Sequence, residues 1–355
     1  MRVGIVGSGY AASMHAQGLR QTPGVEIVAA ASPDPEHAWV FAHTFGIRHA
    51  FIDYRDMLEG DLLDAVTVAC PNDLHCEVAL AAAAAGKHVL VEKPLALNLA
   101  ECDRMIAACR EAGVILMYGE NLCFAPQYTR ARQLVESGAL GHVYYVRQVL
   151  AHSGPHADWF ADVDRSGGGA LIDLGSHSIA VARWLLGGRV ESVSAEVGRH
   201  VHTRWARCDD HALVTLRTGR SGVAVAEASW ARPGGLDSRV EVYGTKGSTA
   251  ADLARGAALE TYSDPGYVYG SGEEPEGRGW SWAQAEEAWR DGFPQEIAHF
   301  VECVREGRRP ALGGEDGRGV LEIVCAAYES ARTGQRVTLP FATDSRLPVE
   351  LWLKE

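Results

Sequence analysis

A carboxylate and an imidazole lie four residues apart in this sequence, at Asp173 and His177. Residues at this spacing project from the same face of an α-helix, so the two side chains can meet. A neighbouring carboxylate stabilises a protonated imidazole and fixes its orientation, and a general base requires both properties. The pair therefore indicates proton transfer, and the alternative is a structural contact that caps a helix.

Two more polar clusters follow predicted strands, at the end where parallel sheets bind their ligands. Residues 71–75 read Pro-Asn-Asp-Leu-His, and residues 92–94 read Glu-Lys-Pro. Lys93 would place a cation at the mouth of a cofactor crevice, and the X-Pro bond after it, which can be cis, restrains the turn. A single lysine after a strand is more often a solvated surface charge, so this interpretation depends on a cofactor signal elsewhere.

Residues 7–12 supply that signal, because they have the form GxGxxA directly after a predicted strand and at the start of a predicted helix. Gly7 permits the tight turn, Gly9 lets the backbone approach a pyrophosphate, and Ala12 lets the helix pack closely on the strand. The free N–H groups of the helix N-terminus favour phosphate. The alternative is a purely structural glycine turn. The predicted cofactor-binding residues of this loop are Gly7, Gly9, Tyr10, Ala11 and Ala12.

The end of the second predicted strand bears on which dinucleotide is bound. An NAD-specific site commonly has an acidic residue there to accept a hydrogen bond from the ribose 2′-hydroxyl. This chain has Ser32 instead, and Asp34 either reaches the ribose or caps the next helix. An uncharged Ser32 would not repel a 2′-phosphate, but no arginine follows to bind one. The predicted cofactor is therefore NAD or NADP, and the missing repulsion favours NADP.

The first third of the chain alternates short apolar runs with helical patterns. Strands are predicted at 3–6, 25–31, 65–69, 88–91 and 114–118, and helices at 10–21, 35–45, 73–85 and 99–111. Such alternation predicts an α/β fold in which helices cover both faces of a doubly wound parallel sheet. This domain is expected to span residues 1–120.

The pattern changes after about residue 120, where strands joined by short turns become frequent. They predict an α+β domain with a mostly antiparallel sheet over residues 121–355. A strongly apolar helix is predicted at 171–186, a surface loop at 264–279, and closing helices at 293–305 and 315–332. The remaining predicted elements are a helix at 125–137 and strands at 143–151, 190–197, 211–216, 222–230, 239–243 and 248–252.

Composition narrows the class of protein further. The 355 residues include 33 basic and 46 acidic side chains, a net charge of −13, with 47% hydrophobic and 22% charged residues. An acidic, globular composition argues against nucleic acid or an anionic membrane as a partner. The eight cysteines form no CxxC pair, which favours reduced, buried thiols over a zinc site or a disulfide framework. No export signal or spanning segment is recognised, so a cytoplasmic enzyme is expected.

The four motifs in this order, GxGxxA, Pro-Asn-x-x-His, Glu-Lys-Pro and Asp-x-Gly-x-His, resemble the family of glucose–fructose oxidoreductase, inositol dehydrogenase and the rhizopine-catabolism oxidoreductases (Gfo/Idh/MocA) over nearly the whole chain. The resemblance implies an N-terminal Rossmann domain for NAD(H) or NADP(H) and a C-terminal domain with an open sheet. It also implies a homodimer or homotetramer, because that sheet commonly serves oligomerisation in the family. Ser32 departs from the many NAD-using members that have aspartate there.

The resemblance also assigns roles to residues. His177 is expected to accept a hydroxyl proton, Asp173 to stabilise the imidazolium, and Lys93 to donate to the reacting oxygen while a hydride leaves for the nicotinamide. The further residues expected to bind cofactor are Ser32, Pro71, Asn72, His75, Glu92, Lys93 and Asn121, with Pro94 shaping the same wall.

Residues 152–160 combine polar groups with two aromatic residues, a composition that suits a sugar. The alternative for Trp159 and Phe160 is packing between domains. Asp162 and Asp164 could help bind an amine, or could be solvated. The predicted substrate is a carbohydrate-like molecule: a sugar, amino sugar, cyclitol or glycoside. The residues expected to contact it are Lys93, Asn121, His156, Asp158, Trp159, Arg165, Asp173 and His177.

Three other functions remain open at this point. One is a metal-dependent hydrolase that uses His152, His156, Asp173 and His177, although Gly154 and Pro155 break the helix that would align the first two. Another is a sugar sensor without catalysis. The last is a family member with tightly held NAD, oxidised and reduced transiently during hydrolysis or epimerisation. The sequence favours a dehydrogenase without a metal.

Overall fold

The protein is described by a computed structural model that covers residues 1–219, 222–253, 259–266, 279–283 and 292–354. Two compact units divide it. Unit 1 comprises 1–121, 164–167 and 293–321, and unit 2 comprises 122–163, 168–292 and 322–355. The division at residue 120 stays a prediction, since both compact units are assembled from separate stretches of chain.

Strands of the described chain fall into two sheets. The first sheet has the order β3-β2-β1-β4-β5-β6, and the second has the order β14-β13-β12-β11-β7-β10-β9-β8-β15. The strands are β1 (Arg2–Val6), β2 (Glu26–Ala31), β3 (His49–Phe51), β4 (Ala65–Val68), β5 (His88–Glu92), β6 (Leu116–Gly119), β7 (Val143–Ala151), β8 (Val190–Gly198), β9 (His211–Thr218), β10 (Gly222–Ser229), β11 (Asp237–Gly244), β12 (Gly247–Asp252), β13 (Leu259–Ser263), β14 (Gly279–Ala283) and β15 (Val337–Thr338).

Helices connect and cover these strands, with short 3₁₀ turns at Asn72–Leu74, Asn121–Phe124 and Asp158–Ala161. The α-helices are α1 (Tyr10–Gln21), α2 (Pro35–Phe45), α3 (Tyr54–Leu58), α4 (His75–Ala84), α5 (Leu99–Ala112), α6 (Pro126–Glu136), α7 (Val163–Ser166), α8 (Ala170–Leu186), α9 (Phe293–Glu306), α10 (Gly314–Thr333) and α11 (Glu350–Leu353).

Unit 1 is built on the six-stranded sheet, in which every neighbouring pair is parallel. This order is that of a doubly wound Rossmann sheet and confirms the predicted fold class. Val3, Ile5, Val66 and Val68 are completely buried, as expected for strands covered on both faces. The sheet reverses its winding between β1 and β4, and in open parallel sheets ligands bind beyond the carboxyl ends of the strands at such a point.

The sequence pattern does not predict the strand at one edge of this sheet. The pattern predicts five strands, but β3 adds a sixth next to β2, and the short helix α3 follows it. Two of its three residues are exposed, so β3 has no apolar run to signal it. The strand 65–69, predicted as the third, is consequently the fourth.

Unit 2 contains the nine-stranded sheet, which is antiparallel except for the parallel pair of β7 and β10. Helix α8 packs on β7, β9 and β10. This mostly antiparallel α+β arrangement confirms the predicted class of the second half. The strands β13 and β14 were not predicted, and most of the predicted loop 264–279 lies outside the described residues.

Candidate active site

The glycine-rich loop of unit 1 has the shape that a pyrophosphate requires. Gly7 has a φ of +119°, and a Cβ built there would lie 2.2 Å from the carbonyl oxygen of Ala69, so only glycine fits. A Cβ on Gly9 would meet nothing within 4 Å. Gly9 also precedes α1 without a side-chain cap, and the N-terminus of a helix is a general binding site for phosphate oxygens. Ala12 is fully buried against the sheet, and the loop therefore fits a dinucleotide.

Ser32 lies at the carboxyl end of β2, beside this loop. Its Oγ is 2.9 Å from the Oγ of Ser8, and its N–H donates to the carbonyl of Phe51 at 3.0 Å. Asp34 accepts hydrogen bonds from the N–H groups of His37 and Glu36, and these bonds lower the pKa of its carboxyl. Asp34 is therefore the N-cap of α2, one of its two predicted roles.

His75 joins the loops that follow β4 and β5. Its Nδ1 lies 2.8 Å from the carbonyl oxygen of Pro94, and its Nε2 lies 3.0 Å from that of Cys70. Burial lowers the pKa of His75, although the hydrogen bonds to these two carbonyls oppose the effect. His75 is 1% exposed and ties the two loops together from inside the unit.

Asn72 and Arg165 connect the loop after β4 to the short segment 164–167 of the same unit. The amide of Asn72 donates to the carbonyl of Ser166 at 2.8 Å, and Arg165 Nε lies 3.9 Å from Asp73 Oδ1. Asn72 is 4% exposed, so its side chain holds the local backbone. Pro71 precedes it at the start of the 3₁₀ turn.

Glu92 braces the turn that carries Lys93. One carboxylate oxygen lies 2.9 Å from Nε2 of His15 on α1, and the other accepts the backbone N–H of Lys93 at 3.1 Å. The peptide bond between Lys93 and Pro94 is cis, the form that the sequence allowed. Lys93 is half-buried in unit 1. The buried pair of His15 on α1 and Glu92 on β5 thus fixes the backbone position of Lys93.

The described residues include one histidine–carboxylate group close enough to hold a cation. It consists of His15, Glu92 and Glu296, whose donor atoms all lie within 4.8 Å of one another. This group lies in unit 1 and shares no member with the four residues of the metal-hydrolase hypothesis. His152 and His156 of that hypothesis are ring neighbours with centroids 4.4 Å apart.

Asp173 and His177 both lie on α8 in unit 2, as predicted, and are 3% and 8% exposed. The N-terminus of α8 is capped from a distance by Asp209. Its carboxylate accepts from the N–H groups of Gly169 at 3.0 Å and Leu171 at 2.7 Å. A Cβ on Gly169 would lie 1.9 Å from the carbonyl oxygen of Asp209, which explains the glycine-rich turn before the helix.

Asp209 itself is completely buried and also accepts a 2.6 Å hydrogen bond from the hydroxyl of Tyr328. Burial raises the pKa of the Asp209 carboxyl, although the hydrogen bonds from Tyr328 and the backbone oppose this effect. Three donors therefore converge on one buried carboxylate, which fixes the start of the helix that carries Asp173 and His177.

Asp173 also accepts a hydrogen bond from Trp230, which directly follows β10. The indole Nε1–H donates to Oδ2 of Asp173 at 3.1 Å, and Trp230 is completely buried. Trp230 makes a T-shaped contact with Phe160, with centroids 6.3 Å apart and an interplanar angle of 79°. Phe160 in turn stacks on Trp159 at 3.9 Å. The aromatic part of segment 152–160 is thus linked to Asp173 within unit 2.

The predicted site residues fall into two groups. Unit 1 holds Gly7, Gly9, Tyr10, Ala11, Ala12, Ser32, Pro71, Asn72, His75, Glu92, Lys93, Asn121 and Arg165, and unit 2 holds His156, Asp158, Trp159, Asp173 and His177. Tyr10, His156 and Asp158 are exposed, whereas Asn121 is buried.

Sequence reasoning missed His15, Asp209 and Trp230, the three side chains that support the predicted residues. His15 has a readable signal, because it faces inward at helical spacing from Ala12. Asp209 and Trp230 contact Gly169 and Asp173, which lie about 40 and 57 positions away along the chain, so no local sequence pattern predicts these contacts.

Comparisons with known proteins match both halves of the chain to domains of known families. Residues 1–120 match a family described as "Oxidoreductase family, NAD-binding Rossmann fold", and residues 128–250 match the "GFO/IDH/MocA C-terminal domain". Among named relatives, myo-inositol 2-dehydrogenase of Thermotoga maritima is 30% identical and is aligned over 96% of this chain and 98% of its own. D-xylose 1-dehydrogenase (NADP(+)) 2 of Haloferax volcanii is 32% identical over 88% of this chain and 92% of its own.

One solved structure resembles this chain in both sequence and fold. The crystal structure of GenD2 from gentamicin A biosynthesis, in complex with NAD, has 33% sequence identity and a TM-score of 0.84, over 96% of this chain and 97% of that one.

Proposed function

The chain belongs to the Gfo/Idh/MocA oxidoreductase family and has its NAD-binding Rossmann fold, and on that premise we propose that it oxidises a secondary hydroxyl of a sugar, amino sugar, cyclitol or glycoside with NAD or NADP. The proposal takes its substrate class from relatives named for inositol and xylose. The observation that carries it is the placement of Asp173 and His177, one helical turn apart and both buried, on a helix whose N-terminus is fixed by Asp209.

His177 is proposed as the general base. Its imidazole takes the proton of the substrate hydroxyl, and the Asp173 carboxylate stabilises the imidazolium that results. Asp173 keeps a fixed direction because the indole of Trp230 holds one of its oxygens. Bound nicotinamide dinucleotide supplies the hydride acceptor for the same carbon.

Lys93 is proposed to donate a hydrogen bond to the oxygen that loses its proton. A cation placed there stabilises the developing alkoxide, and this stabilisation costs no reorganisation when the donor is held in advance. Glu92 and His15 provide that support from behind the turn. Removal of the lysine charge should therefore lower the rate more than the affinity for substrate.

In unit 1, the residues proposed to hold the cofactor are those of the glycine-rich loop and of the strand ends beside it. Gly9 and the first N–H groups of α1 would receive the pyrophosphate, and Ser32 would lie near the adenosine ribose. His156, Asp158, Trp159, Arg165 and Asn121 remain proposed substrate contacts. A cytoplasmic location and a homodimer or homotetramer remain part of the proposal, and light scattering in solution tests the latter.

The direct test is an absorbance assay of cofactor reduction. Purified protein is mixed with NAD or NADP and with myo-inositol, D-xylose, glucosamine and a methyl glycoside in turn. Reduction with one class of substrate is expected, and it would also identify the cofactor. If no substrate is oxidised while the cofactor is shown to bind, the dehydrogenase proposal fails, and a sensor or a tightly held cofactor takes its place.

No helix in the part of the chain that the structure describes is both long and apolar enough to span a membrane.

A further inference from the structure

We infer that Trp230 is a positioning residue for the catalytic pair: its indole N–H aims the Asp173 carboxylate, and through it the imidazole of His177. The inference rests on the proposed function, because Asp173 has a catalytic role only there. Trp230 directly follows β10, 57 residues along the chain from Asp173, and the hydrogen bond between them is 3.1 Å long. Both residues are buried: Trp230 is completely buried and Asp173 is 3% exposed.

The backbone of Trp230 is held on both sides of its peptide unit. Its N–H donates to the carbonyl of Asp210 at 2.8 Å, and its own carbonyl accepts the N–H of Gly154 at 2.8 Å. The same carbonyl lies 3.0 Å from Nε2 of His202. A buried tryptophan with these bonds cannot shift along the strand without breaking several of them.

Two T-shaped contacts with other aromatic rings also hold the indole ring of Trp230. Phe160 meets it at a centroid distance of 6.3 Å and Trp205 at 6.0 Å, with interplanar angles of 79° and 82°. Edge-to-face contacts of this kind are favourable and restrict rotation about the side-chain bonds. Two loops, which contain Phe160 and Trp205, therefore fix the direction of the indole N–H.

The chemistry of the donor suits this task. An indole N–H donates and cannot accept, and it does not titrate in the range where enzymes work, so Trp230 is a hydrogen-bond donor to Asp173 at every working pH. A hydrogen bond to a charged acceptor is about twice as strong as one between neutral groups. With one oxygen held, the carboxylate can present its other oxygen in only one direction.

A double-mutant cycle tests whether Trp230 acts through Asp173. Trp230→Phe keeps an aromatic ring and removes the N–H, and it should lower kcat about tenfold to a hundredfold while KM changes little. Asp173→Ala removes the group that is positioned. Because the carboxylate that Trp230 positions is then absent, Trp230→Phe should have no further effect on kcat in the Asp173→Ala background. Multiplicative effects of the two substitutions would overturn the inference.

Trp205→Phe is the matched control. It alters a tryptophan that makes a T-shaped contact with Trp230, and phenylalanine at position 205 keeps an aromatic ring for that contact. It should leave kcat within about twofold of the wild-type value. A loss equal to that of Trp230→Phe would mean that packing of the cluster, and not the N–H, supports activity, and the inference would be wrong.

A spectroscopic readout does not depend on the stability of a Trp230 variant. The indole proton of Trp230, assigned by NMR in the intact protein, should resonate downfield because it faces a carboxylate. Asp173→Asn replaces the anionic acceptor by a neutral one, so this proton should move upfield while the other assigned indole protons stay in place. An unchanged resonance would show that no such bond exists in solution.

The outcomes separate this inference from the proposed function. If Asp173→Ala and His177→Ala both retain turnover, the proposed catalytic pair is wrong. If both lose turnover while Trp230→Phe keeps the wild-type kcat, only the role of Trp230 is wrong.

Discussion

Ser8 and Ser32 face each other with their hydroxyl oxygens 2.9 Å apart, and this contact joins the glycine-rich loop to the end of the second strand. Many NAD-specific sites have a carboxylate at the position of Ser32. Here the position holds a neutral hydroxyl that already has a partner on the loop. Ser32 is also 6% exposed, so a charged replacement would have to displace Ser8 or point towards the cofactor.

Ser32→Asp should therefore shift cofactor preference towards NAD. A carboxylate at this position repels a 2′-phosphate, and we expect the affinity for NADPH to fall at least about tenfold relative to that for NADH. Dissociation constants measured from the fluorescence of the reduced cofactors provide the test. Ser8→Ala, which breaks the same contact without adding charge, is the control and should change the ratio little. An unchanged ratio in Ser32→Asp would mean that this side chain does not face the ribose.

The two glycines of the loop should respond differently to alanine. Gly7→Ala places a Cβ against the carbonyl of Ala69 at a positive φ, so it should destabilise the protein and weaken cofactor binding together. Gly9 has a φ of −87° and open space at its Cβ. Gly9→Ala should keep the wild-type melting temperature and still weaken cofactor binding, because the methyl group occupies the space of the pyrophosphate. Normal cofactor affinity in Gly9→Ala would contradict the proposed binding mode.

Asp209 should contribute strongly to stability, because it receives the hydrogen bonds of two backbone N–H groups and one hydroxyl. Asp209→Ala leaves these buried donors without an acceptor and should lower the free energy of unfolding by about 3 kcal/mol. Tyr328→Phe removes one of the three donors and should cost about 1 kcal/mol. Urea denaturation measures both values. Equal and small effects would show that Asp209 does not cap α8.

His75 should make the stability depend on pH. Burial lowers the pKa of His75 in the folded protein below the ordinary value of 6.5, so the unfolded chain binds the proton more readily. The contribution of this residue is therefore complete above pH 6.5 and is lost as the pH falls below it. His75→Gln, which does not titrate and keeps an amide NH2 that can donate to the neighbouring carbonyls, should flatten this part of the stability profile. Parallel profiles for the two proteins would contradict the assignment.

Much of the fold was readable because its elements follow simple patterns. Helices α1 and α2 and strand β7 have the predicted bounds, since Gly9, Asp34 and alternating apolar residues mark their limits. Strand β3 was not readable, because it has only three residues at a sheet edge, two of them exposed, and these carry no periodic signal. The strands β13 and β14 were not predicted; they lie on either side of the predicted loop 264–279, and β14 shares only residue 279 with it.

The candidate site shows the same limit. Asp173, His177 and Lys93 could be proposed from the sequence because the Asp–His spacing suggests proton transfer and the glycine-rich fingerprint supplies the cofactor signal that the lysine needs. The residues that hold them were not found, because Asp209, Trp230 and His15 belong to elements that folding brings close from distant parts of the chain. A single sequence contains the reacting groups in short motifs, but their support depends on tertiary contacts.

The most direct test of the account is the turnover of His177→Ala beside its cofactor affinity. If His177 is the general base, the variant should lose about a hundredfold to ten-thousandfold in kcat, while the dissociation constant of the reduced cofactor stays within about twofold of the wild-type value. Since His177 lies in unit 2 and the glycine-rich loop lies in unit 1, the cofactor site provides an internal control. Wild-type turnover in the variant would contradict the central claim, and a joint loss of turnover and cofactor binding would show that His177 is a structural residue.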